Sequence, residues 1–524
     1  MTAGPRVVLV LDPRPGATAA SQISLPDGRS LDEMVGERAV AEAGFLEGTV
    51  SGGDGIAELL RAGGPTLCLI DASALALPTT YGDLVADPRD QPAVLTDDAS
   101  SRAIGVRLDE SALGDVEAVE AAARSLHVAP AGLALSVLSG ELRARDRAVR
   151  VVPSGSFPVH AVFGAGDLPA ALEREAAVDE AALRLHRASR ADDGFLSTFL
   201  VRPLSRQLTR QAVARDVRPD VVTAVSGALG LLAAGAYAGG GLGWRVAGSV
   251  LLLLSLVVDC VDGEVARYTR TFSPLGGWLD VGSDRVKEYA VYAGLAWGAS
   301  PRAWGLASAA FAVLVVRHFV DFGYAAASGV TAGDVVSGWS ERTSARPALL
   351  WAKRAVIMPV GERTIILSVL VVAIGTRWAL AVLLVLGCIA GLYTLAGRLG
   401  RRRGELGWLL PAAVRAVEQG GLALLVGLVR PSALAAAYLL LAAVALHLYD
   451  VVYRRRLTGT SAAAARSPLD LVPWWVRVVV VAALTLLLPA DQLRWVLLAL
   501  GLLCAAAAAV DSVTWWRSFV RSGL

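Results

Sequence analysis

The sequence contains almost no lysine. Of its 524 residues only Lys287 and Lys353 are lysines, and both lie in the second half of the chain. The first 286 residues therefore have no amine side chain to offer to any chemistry.

Cysteine is also scarce. The four cysteines all lie in apolar runs, and none of them shows a CxxC or Cys/His spacing: Cys68, Cys260, Cys388 and Cys504. This pattern argues against a zinc site and against a disulfide framework, and it fits a reduced interior.

Charged residues make up only 18% of the chain, whereas 55% is hydrophobic and the mean hydropathy is +0.54. Soluble chains are typically about 45–50% apolar and about 25% charged. The composition therefore predicts a membrane protein and excludes a disordered one.

The net charge of +2 hides two differently built regions. Residues 1–190 hold 17 arginines, no lysine and 27 acidic residues, a balance of −10, while residues 191–524 carry +12. The opening MTAGPRVVLVLDPRPG has too short an apolar stretch for a signal peptide or an anchor. We expect the acidic N-terminal region to remain in the cytosol.

Residues 1–176 are predicted to form a cytosolic α/β domain with a mainly parallel sheet. Strand-like runs at Val7–Leu11, Thr66–Ile70 and around Val94 alternate with helical stretches at Leu31–Ala43 and Asp115–Leu126. Such an alternation is typical of one α/β domain.

Residues 177–218 are predicted to be a linker followed by an amphipathic helix at the membrane surface. Arg202, Arg206 and Arg210 recur every four residues among aromatic and leucine side chains. A solvated helix between two domains is the alternative.

The rest of the chain contains ten segments close to the length of about 20 residues that crosses a bilayer. They lie at about 221–240, 244–267, 277–299, 303–325, 364–377, 378–397, 408–429, 431–450, 470–489 and 492–514. We predict a polytopic α-helical membrane protein with a six-span core at 219–405 and a four-span C-terminal extension at 406–524.

Arginines between these segments are unevenly distributed. If the N-terminal domain is cytosolic, the connections on its side hold most of them, including Arg267, Arg270, Arg342, Arg346, Arg363, Arg398, Arg401, Arg402, Arg403, Arg454, Arg455, Arg456 and Arg466. The positive-inside rule then predicts that both termini lie in the cytosol. We expect the protein to be integral to the plasma membrane.

Four carboxylates occur in the second and third segments, where an isolated charge would cost several kcal/mol. Asp259 and Asp262 share one helical face, and Asp280 and Asp284 share another. Two neighbouring helices can therefore point all four at one place, where their mutual repulsion calls for cations. Oxygen ligands without His or Cys select Mg²⁺, Mn²⁺ or Ca²⁺, and a two-metal site binding a diphosphate follows.

Three of the residues that follow Asp262 on the same helix are suited to binding a nucleotide. Gly263 removes a side chain where a flat base could approach the helix, and Ala266 keeps the same face shallow. Arg267 offers a planar fork for phosphate.

These positions together resemble the motif of the CDP-alcohol phosphotransferase family. The sequence matches all eight fixed positions over 26 residues: Asp259-x-x-Asp262-Gly263-x-x-Ala266-Arg267, eight residues, Gly276-x-x-x-Asp280-x-x-x-Asp284. The resemblance covers about 195–400. Pro219-Asp220-x-x-Thr223 is also similar to the family's Pro-Asn-x-x-Thr element near the cytidine, with Asp in place of Asn.

The resemblance implies transfer of a phosphoalcohol group from a CDP-linked donor to an acceptor hydroxyl, with release of CMP. It implies that Asp259, Asp262, Asp280 and Asp284 hold two divalent cations, Mg²⁺ or Mn²⁺, and that Asp284 is the general base. The residues implied for CDP or CMP are Asp220, Thr223, Asp259, Gly263, Ala266 and Arg267.

A different class of function also fits four intramembrane carboxylates, namely an ion-coupled transporter or a non-catalytic membrane scaffold. Release of CMP from a CDP-alcohol distinguishes the enzyme from both. Within the enzyme interpretation, Lys287 and Arg317, with Arg342 or Arg354, are candidates for binding an anionic acceptor such as a polyol phosphate. A paired Arg317 that only fixes helix packing is the alternative.

The N-terminal domain resembles, in a degenerate form, the nucleotidyltransferase domain of bifunctional inositol-phosphate cytidylyltransferase/phosphotransferases. Its loop DPRPGATAAS contains no lysine, so we expect it to be inactive. The fused domain favours CDP-inositol as donor, while the family at large favours CDP-diacylglycerol. A polyol or polyol-phosphate acceptor, membrane lipids and a second copy of the chain are the expected partners, and no nucleic acid is expected.

Overall fold

The computed structural model describes residues 6–522 except for 12–18, 44–46, 86–91, 97–102, 128–133, 145–149, 153–158, 163, 190–192, 329–346, 401–405 and 459–471. The chain divides into two compact units, residues Met1–Arg187 with Gly523–Leu524, and residues Ala188–Ser522. Most of the loop DPRPGATAAS, and Arg342, Arg346, Arg401, Arg402, Arg403 and Arg466, lie outside the described residues.

The first unit is an α/β domain. Its elements in chain order are β1 Arg6–Val10, α1 Leu31–Ala43, β2 Gly48–Val50, α2 Gly52–Ala62, β3 Leu67–Asp71, β4 Ala74–Ala76, α3 Pro78–Val85, β5 Ala93–Thr96, β6 Ala103–Leu108, α4 Glu110–Leu113, α5 Val116–His127, α6 Ala134–Ala144, β7 Arg150–Val152, β8 Val159–Ala161, α7 Leu168–Ala176 and α8 Glu180–Ala188. The strands and helices predicted from periodicity are all present.

Six strands form one sheet in the order β2-β1-β3-β6-β5-β7, and β4 pairs with β8. The first strand has parallel neighbours on both sides, with Val8 opposite Gly48 and Val7 opposite Cys68. Alternate residues of β1 belong to different core clusters, Val7 and Leu9 to one, Val8 and Val10 to the other. Both faces of the sheet are therefore buried, which accounts for the continuous apolar runs.

The predicted mainly parallel sheet is confirmed for three of its five strand pairs. Strand β6 runs antiparallel to β3 and to β5. Only residues 97–102 connect β5 to β6, and so short a connection cannot make the crossover that a parallel pair needs.

The second unit is helical. It begins with α9 Arg202–Val213, and continues with α10 Pro219–Ala238, α11 Gly241–Thr269, α12 Pro274–Trp297, α13 Ala303–Ser328, α14 Pro347–Ile357, α15 Val360–Ala373, α16 Thr376–Leu399, α17 Gly407–Val429, α18 Pro431–Thr458, α19 Trp474–Leu487 and α20 Ala490–Ser522. Helices α10–α13 and α15–α20 fall on the ten predicted segments.

Seven of these helices are long and apolar enough to cross a membrane, counted over the described part of the chain: α10, α11, α13, α16, α17, α18 and α20. Helix α12 carries charged residues of the predicted site, and α15 and α19 have 14 residues each. About 14 residues of helix span roughly 21 Å, less than the apolar thickness of a bilayer.

The juxtamembrane helix α9 has a polar side that packs inside the protein and an apolar side that does not. Arg202, Ser205 and Thr209 are buried, whereas Phe199, Leu204 and other apolar side chains near them are exposed. An exposed apolar stripe of this kind suits a lipid surface, and the placement of the helix at the membrane surface stays a prediction. The sequence pattern did not indicate that Arg202 is buried; this arginine is 5% exposed and forms ion pairs within the protein.

Candidate active site

The start of α12 fixes the positions of two of the predicted aspartates. Helix α12 begins after Ser273, whose Oγ accepts a hydrogen bond from Gly276 N, and Pro274 occupies its first turn. Four and eight residues after Gly276 come Asp280 and Asp284, one turn apart on the same face.

Three of the four aspartates form a single cluster. One carboxylate oxygen each of Asp259, Asp280 and Asp284 lie within 4.8 Å of one another. Asp262 is outside this group of three; it is 5% exposed and accepts a hydrogen bond of 2.6 Å from Thr223 Oγ1. A divalent cation with oxygen ligands fits the group of three, because hard cations prefer several carboxylates.

Lys287 lies inside this cluster. Its Nζ is 2.5 Å from Asp259 Oδ1, 3.0 Å from Asp284 Oδ1 and 2.9 Å from Ser226 Oγ. A Cβ on Gly230 would lie 2.5 Å from the Cγ of Lys287, so the glycine makes room for the lysine stem. The ammonium group offsets part of the repulsion between the carboxylates.

Two serines that the sequence reasoning missed tie α10 to the aspartates. Ser226 Oγ donates to Asp259 Oδ1 at 3.0 Å, and Ser255 Oγ donates to the carbonyl of Ser226 at 2.8 Å. Thr223 and Ser226 are three residues apart on α10 and so share one face. That spacing of hydroxyl residues in an apolar segment was the available signal.

The residues expected to contact the nucleotide lie beside these aspartates. A Cβ on Gly276 would be 3.1 Å from Asp220 Oδ1, and one on Gly263 would be 3.0 Å from the Nη1 of Arg267. Arg267 Nε donates to the carbonyl of Ala188. Ala266 is half-buried on the same helix. The first turn of α10 thus meets the first turn of α12 at Gly276.

A buried glutamate next to the motif glycine holds the juxtamembrane helix in place. Glu264 is fully buried, and its carboxylate accepts from Arg202 Nη1 at 2.7 Å, Ser205 Oγ at 2.9 Å, Thr209 Oγ1 at 2.7 Å and Ser189 Oγ at 3.0 Å. Sequence reasoning gave Glu264 no role. An acidic residue at a non-motif position between Gly263 and Ala266 was the visible signal.

A small cavity of about 50 Å³ adjoins the aspartate cluster. Its polar lining consists chiefly of Asp259, Asp284, Lys287, Glu288 and Arg363, and its remaining lining is largely apolar. Volume of this size accommodates a few water molecules.

Within this lining, Arg363 and Glu288 form an ion pair of 2.9 Å. Glu288 also accepts from Arg285 at 3.0 Å and from Tyr292 at 3.2 Å. The glutamate therefore has a full set of partners, as a buried charge requires.

Of the predicted acceptor residues that the structure describes, one lines the cavity and two donate to backbone carbonyls. Lys287 lines the cavity, whereas Arg317 Nη2 donates to the carbonyl of Ile357 at the end of α14. Arg354 Nη1 donates to the carbonyl of Asp193 at 3.0 Å. Arg363 lines the cavity and was not among the predicted acceptor residues.

Comparisons with known proteins identify the family of the chain. A family profile described as CDP-alcohol phosphatidyltransferase matches residues 216–389. The inner membrane protein YnjF of Escherichia coli is 32% identical over 156 residues, which is 26% of this chain and 72% of that protein. The chain belongs to the CDP-alcohol phosphatidyltransferase family. It is accordingly an integral membrane CDP-alcohol phosphotransferase.

Two further relatives of this CDP-alcohol phosphotransferase have more specific names. The phosphatidylinositol phosphate synthase of Mycolicibacterium smegmatis is 35% identical over 116 residues, 21% of this chain and 47% of the relative. The bifunctional IPC transferase and DIPP synthase of Rubrobacter xylanophilus is 34% identical over 115 residues, 22% of this chain and 26% of the relative. In both cases the match spans less than half of the relative.

A second profile, a family of unknown function, matches residues 324–522 of the phosphotransferase. It includes all of the C-terminal extension from α17 to α20 that the structure describes. The degenerate nucleotidyltransferase character of the N-terminal domain stays a prediction.

Proposed function

We propose that the protein transfers a phosphoalcohol group from a CDP-linked donor to the hydroxyl of a polyol or polyol phosphate, releasing CMP at a site with two divalent cations. The observation that supports this most directly is the shared position of Asp259 and Asp284, which belong both to the carboxylate cluster and to the lining of the cavity. An acceptor hydroxyl that reaches that cavity would meet the cluster directly.

Four aspartates would hold the cations, with Asp259, Asp280 and Asp284 already close together and Asp262 on the adjacent turn of α11. Mg²⁺ or Mn²⁺ bound there would neutralise the diphosphate of the donor. The chain's part is to fix the carboxylates, through Ser226 for Asp259 and through Thr223 for Asp262.

Asp284 is the proposed general base. The acceptor hydroxyl loses its proton to this carboxylate while its oxygen forms a bond to the phosphorus bearing the alcohol group. The bond between that phosphorus and the CMP oxygen breaks, and CMP leaves with the electron pair. Lys287 Nζ is 3.0 Å from Asp284 Oδ1 and helps to orient this carboxylate.

On the acceptor side we assign Lys287 and Arg363, the two cationic side chains of the cavity lining. Both cations are paired with carboxylates of the same lining, Lys287 with Asp259 and Asp284 and Arg363 with Glu288. Divalent cations bound to the aspartates would replace the ammonium group as their partner and leave Lys287 available to an anionic acceptor. The names of the relatives from M. smegmatis and R. xylanophilus point in the same direction, toward inositol-phosphate chemistry. Arg317 is the weaker candidate because its guanidinium is engaged with Ile357.

We further propose that the site faces the cytosol of a cell whose plasma membrane contains the chain. The uneven distribution of arginine supports this orientation.

The test is a CMP-release screen with purified full-length protein and Mn²⁺ or Mg²⁺. CDP-diacylglycerol and CDP-inositol are each crossed with inositol and inositol phosphate as acceptors. We expect one of the two donors to support CMP release. With that donor, inositol phosphate should give faster CMP release than inositol. Absence of CMP release from every combination would favour a transporter or scaffold.

A further inference from the structure

The C-terminal extension packs against the side of α12 that lies opposite the catalytic side chains. Asp280, Asp284 and Lys287 recur at i, i+4 and i+7 and form one stripe of α12. Trp278, Arg285 and Tyr289 recur at i, i+7 and i+11 and form a second stripe on the far side of the same helix.

Each residue of the second stripe contacts α18. Trp278 Nε1 donates to Asp450 Oδ1 at 2.8 Å, and the Arg285 guanidinium lies 5.8 Å from the ring centre of Tyr449. The carbonyl of Tyr289 accepts from Tyr438 at 2.8 Å. Helix α12 is thus held on one side by the extension along about three turns.

The contact at Trp278 is itself fixed by charged residues of the extension. Asp450 forms an ion pair with Arg454, one turn later on α18, and Arg454 Nη1 is 2.8 Å from Asp511 Oδ2 on α20. Arg454 is 3% exposed. Buried charges with two partners hold a defined geometry, since losing one partner is costly.

Aromatic side chains of α18 and α20 also contact the start of α12. The Trp278 and Trp516 rings are 5.3 Å apart, and Trp516 is buried. Tyr453 donates to the carbonyl of Pro274 at 3.2 Å, and a Cβ on Gly277 would meet its hydroxyl at 2.7 Å. The first turn of α12 is therefore enclosed by α18 and α20.

We propose that the C-terminal extension positions the metal-binding helix α12, and that Trp278 and Asp450 are the positioning residues that set the place of Asp280. Asp280 follows Trp278 by two residues, so a shift of this turn moves its carboxylate relative to Asp259 on α11. The proposal gives a role to the region matched by the family of unknown function, and it rests on the proposed function for the part that Asp280 and Asp284 play.

The variant that tests this is Trp278→Phe, which keeps an aromatic ring and removes the donor to Asp450. Direct hydrogen-bond partners of metal ligands contribute about 10–100-fold to metal affinity. Trp278 acts on Asp280 through the backbone of α12, so we expect Trp278→Phe in the full-length protein to raise the Mn²⁺ dissociation constant up to about tenfold. The binding is measured without substrate from the electron paramagnetic resonance signal of free Mn²⁺. We also expect a lower kcat at a KM for the CDP-donor near that of the wild type.

Two variants of Asp450 separate positioning from folding. Asp450→Asn keeps an oxygen acceptor for Trp278 and should retain Mn²⁺ affinity better than Asp450→Leu, which removes it. The double variant with Trp278→Phe and Asp450→Leu should bind Mn²⁺ no more weakly than the worse single variant, because both remove the same hydrogen bond.

The matched control is Trp408→Phe. Trp408 is a buried tryptophan of the extension whose Nε1 has no hydrogen-bond partner among the described side chains and backbone. We expect wild-type Mn²⁺ affinity in this variant. Equal effects of Trp278→Phe and Trp408→Phe, or wild-type affinity in both, would overturn the positioning role. A wild-type protein that releases no CMP would instead overturn the proposed function, while the Mn²⁺ measurement would still decide whether Trp278 supports the metal site.

Discussion

Lys287 and Asp259 lie on neighbouring helices, with Nζ and Oδ1 2.5 Å apart; the lysine is buried and the aspartate is half-buried. The lysine is one of only two in the chain. It shares its ammonium group between Asp259 and Asp284, two carboxylates that the proposed reaction assigns to divalent cations. Lys287 therefore places one positive charge among the carboxylates of the site.

Replacing this lysine should make the protein depend on divalent cations for stability. In Lys287→Met, Asp259 and Asp284 lose their buried partner, which typically costs about 3–5 kcal/mol. We expect a lower Tm than wild type in EDTA and a larger rise in Tm on addition of Mn²⁺. Differential scanning fluorimetry in detergent measures both.

The control for this experiment is Lys353→Met, which removes the other lysine, on α14. It should leave the Mn²⁺-dependent change in Tm unaltered. A Lys287→Met protein with a wild-type response to EDTA and Mn²⁺ would show that the ammonium group does not balance the carboxylates.

Asp284→Asn should abolish turnover while sparing the binding of the CDP-donor. An amide cannot accept the proton of the attacking hydroxyl, and a positioned general base contributes about 10²–10⁴-fold to a rate. CMP release measures turnover, and isothermal titration calorimetry with the donor measures binding. Asp491→Asn, on the exposed first turn of α20, should keep wild-type turnover. Substantial CMP release by Asp284→Asn would remove this residue from the mechanism.

Thr223→Val should weaken the site through Asp262. The substitution keeps the shape of the side chain and removes the donor 2.6 Å from Asp262 Oδ2, leaving a buried carboxylate oxygen without that partner. The cost of such a loss is about 1–3 kcal/mol. We expect CMP release to need a higher Mn²⁺ concentration for half-maximal rate.

Thr485→Val provides the comparison for Thr223→Val. Thr485 is also fully buried in a helix of the second unit, but its hydroxyl donates to the carbonyl of Val481 one turn earlier. Its loss should leave the Mn²⁺ dependence unchanged. Identical Mn²⁺ curves for Thr223→Val and Thr485→Val would speak against a role of Thr223 in holding Asp262.

Sequence reasoning found the parts of the site that depend on local geometry. The spacing of Asp280 and Asp284 by four residues places them on one helical face whatever the surroundings, and runs of apolar residues indicate the ten segments that form α10–α13 and α15–α20. The same reasoning found helix α1 at Leu31–Ala43 with the bounds that the structure gives it.

It could not find pairings between residues far apart in the chain. Trp278 and Asp450 are 172 positions apart, and neither the period of a helix nor hydropathy specifies which helices become neighbours. The same limit explains why Arg363 was missed on the acceptor side and why the burial of Arg202 was not predicted. Each of these arginines forms an ion pair with a glutamate of a different helix, Glu288 and Glu264 respectively.

The close approach of α10 and α12 gives a last prediction, from two glycines of one helix. On α10, a Cβ at Gly230 would lie 2.5–3.1 Å from three stem carbons of Lys287, whereas one at Gly235 would meet nothing within 4 Å. Gly230→Ala should therefore displace Lys287 or α12, at a cost of about 1–3 kcal/mol for an overpacked core. We expect a lower Tm and slower CMP release.

Gly235→Ala makes the same chemical change five residues further along α10. Because alanine favours a helix over glycine by about 0.8–1 kcal/mol, its Tm should equal or exceed that of the wild type. Thermal melts of the two variants in the same detergent compare them directly. If Gly230→Ala were as stable and as active as Gly235→Ala, the space beside Lys287 would not require a glycine, and the tight packing of α10 on the catalytic face of α12 would be refuted.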